Sequence, residues 1–249
     1  MDNLWQNPPN DLLVAVRGNR PQPFSELRDK SCRGVGVRLL DIHSHSESAK
    51  QLYLHSKLHR YCQLIYNQKP VATQTLYFEY GSNQPLHRDP FYVITNPPSN
   101  VLASWIALED ITADSGPLNY VPESHKLPYY RLKTGDIILN DFKVTQQEKD
   151  QSYTYMYEMM DKYKLQKKPF YAKKGQAFLW HASLVHGGST VENPSQTRKS
   201  LVTHYDIFIN HPSQSQRVFF ESKKPSIVTT QKLAEKDGWI GFENPFKQY

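Results

Sequence analysis

A histidine and an aspartate separated by one residue, His87 and Asp89, lie shortly after a β-rich run over residues 71–80. Side chains at positions i and i+2 of a strand point to the same face, about 6–7 Å apart along the backbone. An imidazole and a carboxylate placed in this way can bind one metal ion. A second histidine would complete the two-histidine, one-carboxylate set of non-haem Fe(II) oxygenases. Because a lone His-x-Asp triplet is a weak signal, the metal hypothesis depends on its partners.

The partner histidine that the sequence offers is His186, which ends a β-rich run and is followed by two glycines. A strand that runs into such a turn places its last side chain at the rim of a barrel, where it can reach the first pair. Farther along, Arg198 and Ser200 share one face of a strand by the period of two. A guanidinium fork with a hydroxyl beside it can bind a carboxylate bidentately at the inner end of a pocket.

Composition indicates a folded globular protein of 249 residues, with 38% hydrophobic residues and a formal net charge of +6. The lysines and arginines are scattered, which argues against a nucleic-acid partner but is compatible with an anionic small-molecule substrate. Two cysteines cannot form a disulfide framework, and the N-terminus lacks the pattern of a signal peptide. Since no apolar run approaches the ~20 residues of a membrane span, we expect a cytoplasmic protein without a membrane partner.

The order of predicted elements favours a mainly β barrel or sandwich, because many short strands follow one another without intervening helices. Residues 1–33 are expected to be irregular, with a short apolar patch at 12–16. Ser44 and Glu47 have capping-box spacing and predict an amphipathic helix that ends near Tyr66, with Leu58, Tyr61, Cys62 and Ile65 on its buried face. Strands are predicted at residues 35–42, 71–80, 91–95, 101–108, 118–121, 137–139, 170–173, 177–182 and 200–209.

The chain is expected to form a single domain over residues 1–249. Its barrel core is predicted at about 71–209, with N-terminal helical support over 1–70. A helical insertion is predicted at about 145–168 and a C-terminal tail at 217–249, with one short helix near 229–237.

Taken together, the motifs resemble the phytanoyl-CoA dioxygenase family of Fe(II)- and 2-oxoglutarate-dependent oxygenases. The resemblance spans roughly residues 71–206, with the motifs in family order. The residues that carry it are Leu86-His87-Arg88-Asp89, the segments 104–110, 116–125 and 180–188, and Arg198-Lys199-Ser200.

This resemblance implies a double-stranded β-helix, the jelly-roll barrel, and a role for each matching residue. His87, Asp89 and His186 match the catalytic iron ligands of the family. Arg198 and Ser200 match the residues that bind the distal carboxylate of 2-oxoglutarate, and Trp105 matches a position beside this cosubstrate. The implied activity uses Fe(II), 2-oxoglutarate and O2 to hydroxylate a small molecule, with release of succinate and CO2. A carboxylate at position 89, where related halogenases have a small residue, favours hydroxylation over halogenation.

Two positions depart from the family pattern: Glu123 replaces the usual glycine before Ser-His, and Gln176 replaces the usual aspartate after Gly175. Neither matches a ligand, so we expect the departures to affect local turns. His125 and His181 are interpreted as structural, and the tyrosine-rich stretch 153–157 as a packed helix face.

Two alternatives come from other classes of protein. Asp41, His43 and His45 follow a strand-like run and resemble the start of a metal-dependent hydrolase, although such barrels alternate strands with helices. The second alternative is a jelly-roll protein that binds a ligand without turnover. An oxygenase would consume O2 only with Fe(II) and 2-oxoglutarate, a hydrolase would lose activity on His43→Ala, and a binding protein would show neither behaviour.

Overall fold

The structure is a computed structural model that describes residues 2–17, 19–93, 100–139 and 144–207, and the strands at 217–221, 224–228, 232–236 and 239–243. Its first three helices are α1 (Asp2–Gln6), α2 (Glu47–Tyr53) and α3 (Ser56–Tyr66). No described helix combines the length and the apolarity needed to cross a lipid bilayer.

The main sheet contains nine strands, seven of which follow one another in the order β2-β1-β3-β4-β10-β5-β8, all antiparallel. A C-terminal hairpin, β13 and β14, joins this sheet because β14 runs parallel to β4. The strands are β1 (Leu13–Val16), β2 (Gln22–Pro23), β3 (Val37–Leu40), β4 (Pro70–Phe78), β5 (Leu102–Ala107), β8 (Ala177–His181), β10 (Ser200–Ile207), β13 (Lys232–Lys236) and β14 (Trp239–Glu243).

A smaller sheet has the order β7-β6-β9, formed by Lys168–Phe170, Leu118–Tyr120 and His186–Gly188. An isolated antiparallel bridge between His87 and His186 pairs the segment before Asp89 with the edge of β9 that does not pair with β6. Apolar side chains of both sheets pack together between them, with Trp105 and Val202 from the main sheet and Leu118 from the smaller one. This architecture is the predicted double-stranded β-helix. The remaining pair, β11 (Arg217–Glu221) and β12 (Lys224–Val228), forms a separate hairpin.

The N-terminal segment contributes more to the sheet than its sequence indicated. Residues 1–33 were expected to be irregular, but α1, β1 and β2 lie there, and the apolar patch at 12–16 forms β1. Residues 1–70 therefore supply three sheet strands as well as helices. Strand β1 is only four residues long, and it is held in place because Val14 and the preceding Leu12 pack in a hydrophobic core.

The predicted helix ending near Tyr66 is in fact two helices separated by Leu54 and His55, and its predicted cap was wrong. Ser46, and not Ser44, caps α2 by accepting a hydrogen bond from the Ala49 N–H. In α3 the buried face contains Leu58, His59 and Cys62, whereas Tyr61 and Ile65 are exposed. The apolar residues of α3 form two adjacent stripes, and only one of them reaches the sheet.

Four other predicted elements differ from the structure. The strand predicted at 170–173 lies at Lys168–Phe170 instead. Phe91 ends the 3-10 turn Asp89–Phe91, in which Pro90 supplies the fixed φ of the first turn, so no strand begins there. Residues 94–95 and 208–209 lie outside the described residues. Residues 137–139 form a buried loop segment without a strand. The tail has the strand β13 at Lys232–Lys236 where a helix was predicted, because it pairs with β14.

The predicted helical insertion is confirmed as α4 (Gln146–Lys162), which starts with a capping box between Thr145 and Glu148. Met156 and Met160 on its buried face pack in a core cluster with Phe91, beside the segment that carries Asp89. The insertion is thus part of the wall next to the predicted metal site.

Glu123, the residue in place of a family glycine, has a left-handed backbone with φ of 67°. For a residue with a Cβ this conformation costs roughly 1–2 kcal/mol. We expect Glu123→Gly to raise the free energy of unfolding by about 0.5–1 kcal/mol, since glycine removes the strain but loses more chain entropy on folding. Denaturant unfolding measures the gain. Glu123→Ala, which loses the exposed ion pair to Lys126 but keeps the strain, should give no increase; equal effects of both variants would contradict the strain argument.

Candidate metal centre and its surroundings

Two backbone segments bring His87, Asp89 and His186 together. The His87 N–H donates to the carbonyl oxygen of His186 at 2.8 Å, and the reciprocal bond is 3.0 Å. The Asp89 N–H donates to the carbonyl of Ala182 at 3.1 Å. One ligand atom from each of the three side chains lies within 4.8 Å of the others, and all three residues are buried. Within the described part of the chain, this is the one group of His, Cys, Asp and Glu residues that could hold a metal ion.

Gly187 permits the close approach of these two segments. A Cβ at this position would lie 2.7 Å from the carbonyl oxygen of Gln84 and 2.9 Å from that of Pro85. Both distances are shorter than a carbon atom tolerates, so the strand after His186 can run beside the segment before His87 only with glycine here.

The imidazole rings are oriented by hydrogen bonds from their Nδ1 atoms. Nδ1 of His87 lies 2.9 Å from the carbonyl of Pro85, and Nδ1 of His186 lies 2.9 Å from that of Leu184. A carbonyl can only accept, so both Nδ1 atoms carry the proton and both Nε2 lone pairs are left for a metal. Nε2 of His186 is 3.4 Å from Oδ1 of Asp89, and the amide nitrogen of Gln84 is 3.2 Å from Nε2 of His87.

The electrostatics of the site suit a cation. Burial, reinforced by the nearby His186, lowers the pKa of His87 to about 3, so this ring is neutral at neutral pH. Burial alone would raise the pKa of Asp89, but the neighbouring His186, His204 and His87 together lower it below its ordinary value. A carboxylate and two imidazoles with free lone pairs form a donor set that a divalent metal ion can use.

Asp89 has a second contact that the sequence analysis missed. The indole Nε1 of Trp180 donates to its Oδ2 at 2.9 Å, so Oδ1 is the oxygen that faces the histidines. Nε2 of His204 approaches Oδ1 at 3.9 Å. The period of two could have found His204, because it shares a strand face with Arg198 and Ser200.

The structure places Arg198, Ser200 and Trp105 on the inner face of the main sheet. Nη1 of Arg198 donates to Oγ of Ser200 at 3.2 Å, and the guanidinium lies 5.6 Å from the Trp105 ring centre. All three side chains are buried. Nε of Arg198 and Nε1 of Trp105 have no hydrogen-bond partner among the described residues. Burial lowers the pKa of Arg198 to about 10, which leaves it charged at neutral pH.

Arg88, between the two predicted ligands, points the other way and supports a loop. Its guanidinium donates at 3.1 Å to each of the backbone carbonyls of Ser124, Leu127 and Pro128. It also lies 4.3 Å from the ring centre of Tyr129. The alternation that aims His87 and Asp89 at one point therefore aims Arg88 at the adjacent loop.

Aromatic residues from the insertion line the side of the site next to His87. The Tyr92 ring lies 5.8 Å from that of His87, and its hydroxyl is hydrogen-bonded to that of Tyr153 on α4. Burial, with Tyr92 nearby, raises the pKa of Tyr153, so this hydroxyl is neutral at physiological pH. Tyr153, one member of the predicted packed stretch 153–157, thus connects α4 to the site.

The other candidate residues are held in local structure. The predicted hydrolase residues form no metal group: His43 contacts the Thr75 hydroxyl at 2.9 Å and stacks on Tyr53, and Asp41 accepts from the Thr75 N–H. His45 lies 3.7 Å from a carboxylate oxygen of Asp11.

The remaining sequence features form turns. His181 accepts from the Ser183 N–H and is exposed, and His125 lies in the 3-10 turn Ser124–Lys126 outside the metal group. Gln176 closes a turn by accepting from the Lys173 N–H.

The sequence pattern described as "Phytanoyl-CoA dioxygenase (PhyH)" matches residues 28–200, which is more than half of the chain. The chain belongs to this family. It is 27% identical over 190 residues to "Phytanoyl-CoA dioxygenase domain-containing protein 1" of Danio rerio, covering 73% of this chain and 59% of that protein. The chain thus spans about three fifths of the length of this relative.

Solved structures support the phytanoyl-CoA dioxygenase fold. One is the "non-heme alpha ketoglutarate dependent epimerase SnoN from nogalamycin biosynthesis", with a TM-score of 0.55, 16% identity and coverage of 84% of this chain and 78% of that one. Another is "EctD from S. alaskensis with 2-oxoglutarate and 5-hydroxyectoine", with a TM-score of 0.55, 18% identity and coverage of 76% and 61%. At these identities the likeness concerns the fold.

Proposed function

We propose that the protein is an Fe(II)- and 2-oxoglutarate-dependent dioxygenase that hydroxylates a C–H bond of a small, anionic metabolite and releases succinate and CO2. The observation that carries the proposal is the convergence of His87, Asp89 and His186, which are remote in the chain, within 4.8 Å of one another. Family membership and two related folds named for 2-oxoglutarate or alpha-ketoglutarate support it.

The three proposed ligands fit iron. Two imidazoles and one carboxylate are the donors of the facial set that non-haem Fe(II) oxygenases use. When bound, iron with 2-oxoglutarate and O2 supplies the oxidising chemistry that breaks an unactivated C–H bond. The chain fixes the orientation of this set: carbonyls hold the Nδ1 protons of both histidines, and Trp180 holds the second oxygen of Asp89.

The interior beside the proposed ligands fits 2-oxoglutarate. Arg198 is charged, is buried and has an Nε without a partner in the described residues, and Ser200 holds another of its nitrogens. A guanidinium in this situation can form charge-assisted hydrogen bonds to a carboxylate. The unpartnered indole Nε1 of Trp105 can donate to the same cosubstrate. Burial of these groups keeps water away from the acid and so strengthens its binding.

A coupled assay tests the proposal. The purified protein should consume O2 and release succinate when Fe(II) and 2-oxoglutarate are both present, and do neither when one is omitted. His43→Ala should leave this activity unchanged, whereas a hydrolase built on the Asp41 cluster would lose its activity. A protein that binds Fe(II) and 2-oxoglutarate but releases no succinate with any metabolite tested would be a binding protein, and the proposal would be wrong.

Arg198→Met should weaken binding of 2-oxoglutarate by about 2–3 kcal/mol, or roughly 30- to 160-fold, because it removes a charge-assisted contact and keeps the volume. The apparent dissociation constant is measured anaerobically by titrating 2-oxoglutarate into the iron-loaded protein. Iron binding without 2-oxoglutarate should be unchanged, which separates this role from that of the ligands. An unchanged affinity for 2-oxoglutarate would contradict the assignment.

A further inference from the structure

Arg38 is a further arginine on the inner face of the main sheet, and it has no role in the proposed binding of iron or 2-oxoglutarate. Arg38 on β3 is paired directly with Phe78 on β4, and Phe78 is paired with Ser200 on β10. Residues paired directly across antiparallel strands point to the same side of a sheet. Arg38 therefore projects to the side that carries Ser200 and Trp105.

The charge of Arg38 acts on His87, one of the proposed iron ligands. After burial and His186, one of the smaller contributions that lower the pKa of His87 is the charge of Arg38. Burial lowers the pKa of Arg38 itself, and Tyr92 partly offsets this effect. The charge of Arg38 thus acts on both Tyr92 and His87.

No carboxylate of the described residues forms an ion pair with Arg38, which sets it apart from its neighbours. Arg33 binds Glu79 through two nitrogens, and Nη1 and Nη2 of Arg88 donate to three backbone carbonyls. Arg38 as a residue is partly buried. An unneutralised cation in a partly desolvated place is unfavourable unless an anion can reach it.

Arg38 is distinct from the arginine assigned to 2-oxoglutarate. Arg198 lies just before β10, two strands from β3, and its guanidinium rests on the Phe78 ring at 5.4 Å from the ring centre. With a strand spacing of about 4.8 Å, the backbones of β3 and β10 are roughly 10 Å apart. One dicarboxylate held by Arg198 and the metal does not need a second arginine across Phe78.

We propose that Arg38 binds the anionic group of the substrate, on the inner face of the sheet in the row that contains Phe78 and Ser200. This inference rests on the proposed function and deepens it by assigning the substrate class: a small molecule with a carboxylate or a phosphate at one end and the reacting C–H bond at the other. The hydrogen-bonded pair of Tyr92 and Tyr153, the latter on α4, provides an aromatic wall for the part of the molecule between these two ends.

The first experiment uses bromide as the probe, because it needs no knowledge of the substrate. Crystals of the protein loaded anaerobically with Fe(II) and 2-oxoglutarate are soaked in bromide and measured at its absorption edge. We expect an anomalous peak in contact with the Arg38 guanidinium, and no such peak in Arg38→Gln crystals. The absence of a peak at Arg38 in the original protein would overturn the proposal, while density for iron and 2-oxoglutarate would show that the proposed function stands.

The second experiment measures succinate release with pairs of compounds that differ only in charge: carboxylic acids with their methyl esters, and phosphate monoesters with their parent alcohols. The charged member of a pair should stimulate release more strongly, and the type of pair that responds distinguishes carboxylate from phosphate. Arg38→Gln should raise the Michaelis constant for that compound by about tenfold or more, with partial recovery in Arg38→Lys. The concentration of 2-oxoglutarate that gives half-maximal release should stay unchanged in both variants.

Equal stimulation by both members of every pair, or an unchanged Michaelis constant in Arg38→Gln, would overturn the assignment. If no pair responds, the bromide result alone decides.

Discussion

Asp89→Ala and His186→Ala should each abolish the weak visible charge-transfer band that we expect when Fe(II) and 2-oxoglutarate are added to the protein without oxygen. Each variant removes one of three proposed ligands from a buried site, and the described residues contain no second group of three that could hold a metal ion. Even loss of a residue that only orients a ligand typically lowers metal affinity 10- to 100-fold, so loss of a ligand should lower it by at least about 100-fold. Anaerobic absorption spectroscopy with direct iron titration measures both effects.

His181→Ala is the matched control for the ligand variants. This histidine is exposed, lies five positions before His186 in sequence and stands outside the metal group. The band should survive in this variant at full intensity. If Asp89→Ala and His186→Ala also keep the band, the assignment of the ligands is wrong, and the oxygenase proposal with it.

Arg88→Met should lower the free energy of unfolding by about 2–4 kcal/mol. Three backbone carbonyls, those of Ser124, Leu127 and Pro128, would lose their donor, and each unsatisfied group costs about 1–3 kcal/mol when buried. Denaturant unfolding measures the change. Methionine keeps most of the side-chain volume, so the loss reports the hydrogen bonds more than the packing.

Arg131→Met provides the control for Arg88, since this exposed arginine makes one hydrogen bond, to the carbonyl of Gly135. Its effect should stay within about 0.5 kcal/mol, the usual range for surface substitutions. Comparable losses in the two variants would show that the loop at 124–128 does not depend on the buried guanidinium.

The sequence predicted the barrel from local rules, and it predicted the convergence of His87, Asp89 and His186 from the period of two together with the family resemblance. The period of two places His87 and Asp89 on one face, and consecutive short strands without helices indicate a jelly roll. The helical insertion predicted at about 145–168 corresponds to α4, whose capping box at Thr145 only the structure showed.

The remaining features depend on which distant residues the fold brings together. Nothing near Arg38 in the sequence indicates that it shares a sheet row with Ser200, because two strand pairings create that row. The same holds for Arg88, whose acceptors lie 36 to 40 residues away. In α3 two apolar stripes were equally consistent with burial, and only the position of the sheet selects Cys62 over Tyr61.

The glycine that follows His186 has a consequence for how this pocket can change. Because main chain rests directly on main chain at Gly187, the separation of the two histidines is fixed by the thickness of the peptide backbone and tolerates not even a methyl group. The side of the site next to His87 is formed by the side chains of Tyr92 and Tyr153. Substitutions of Tyr92 or Tyr153 can change the shape of the space available to a substrate while the positions of the proposed metal ligands stay the same. A change of substrate therefore need not disturb the chemistry.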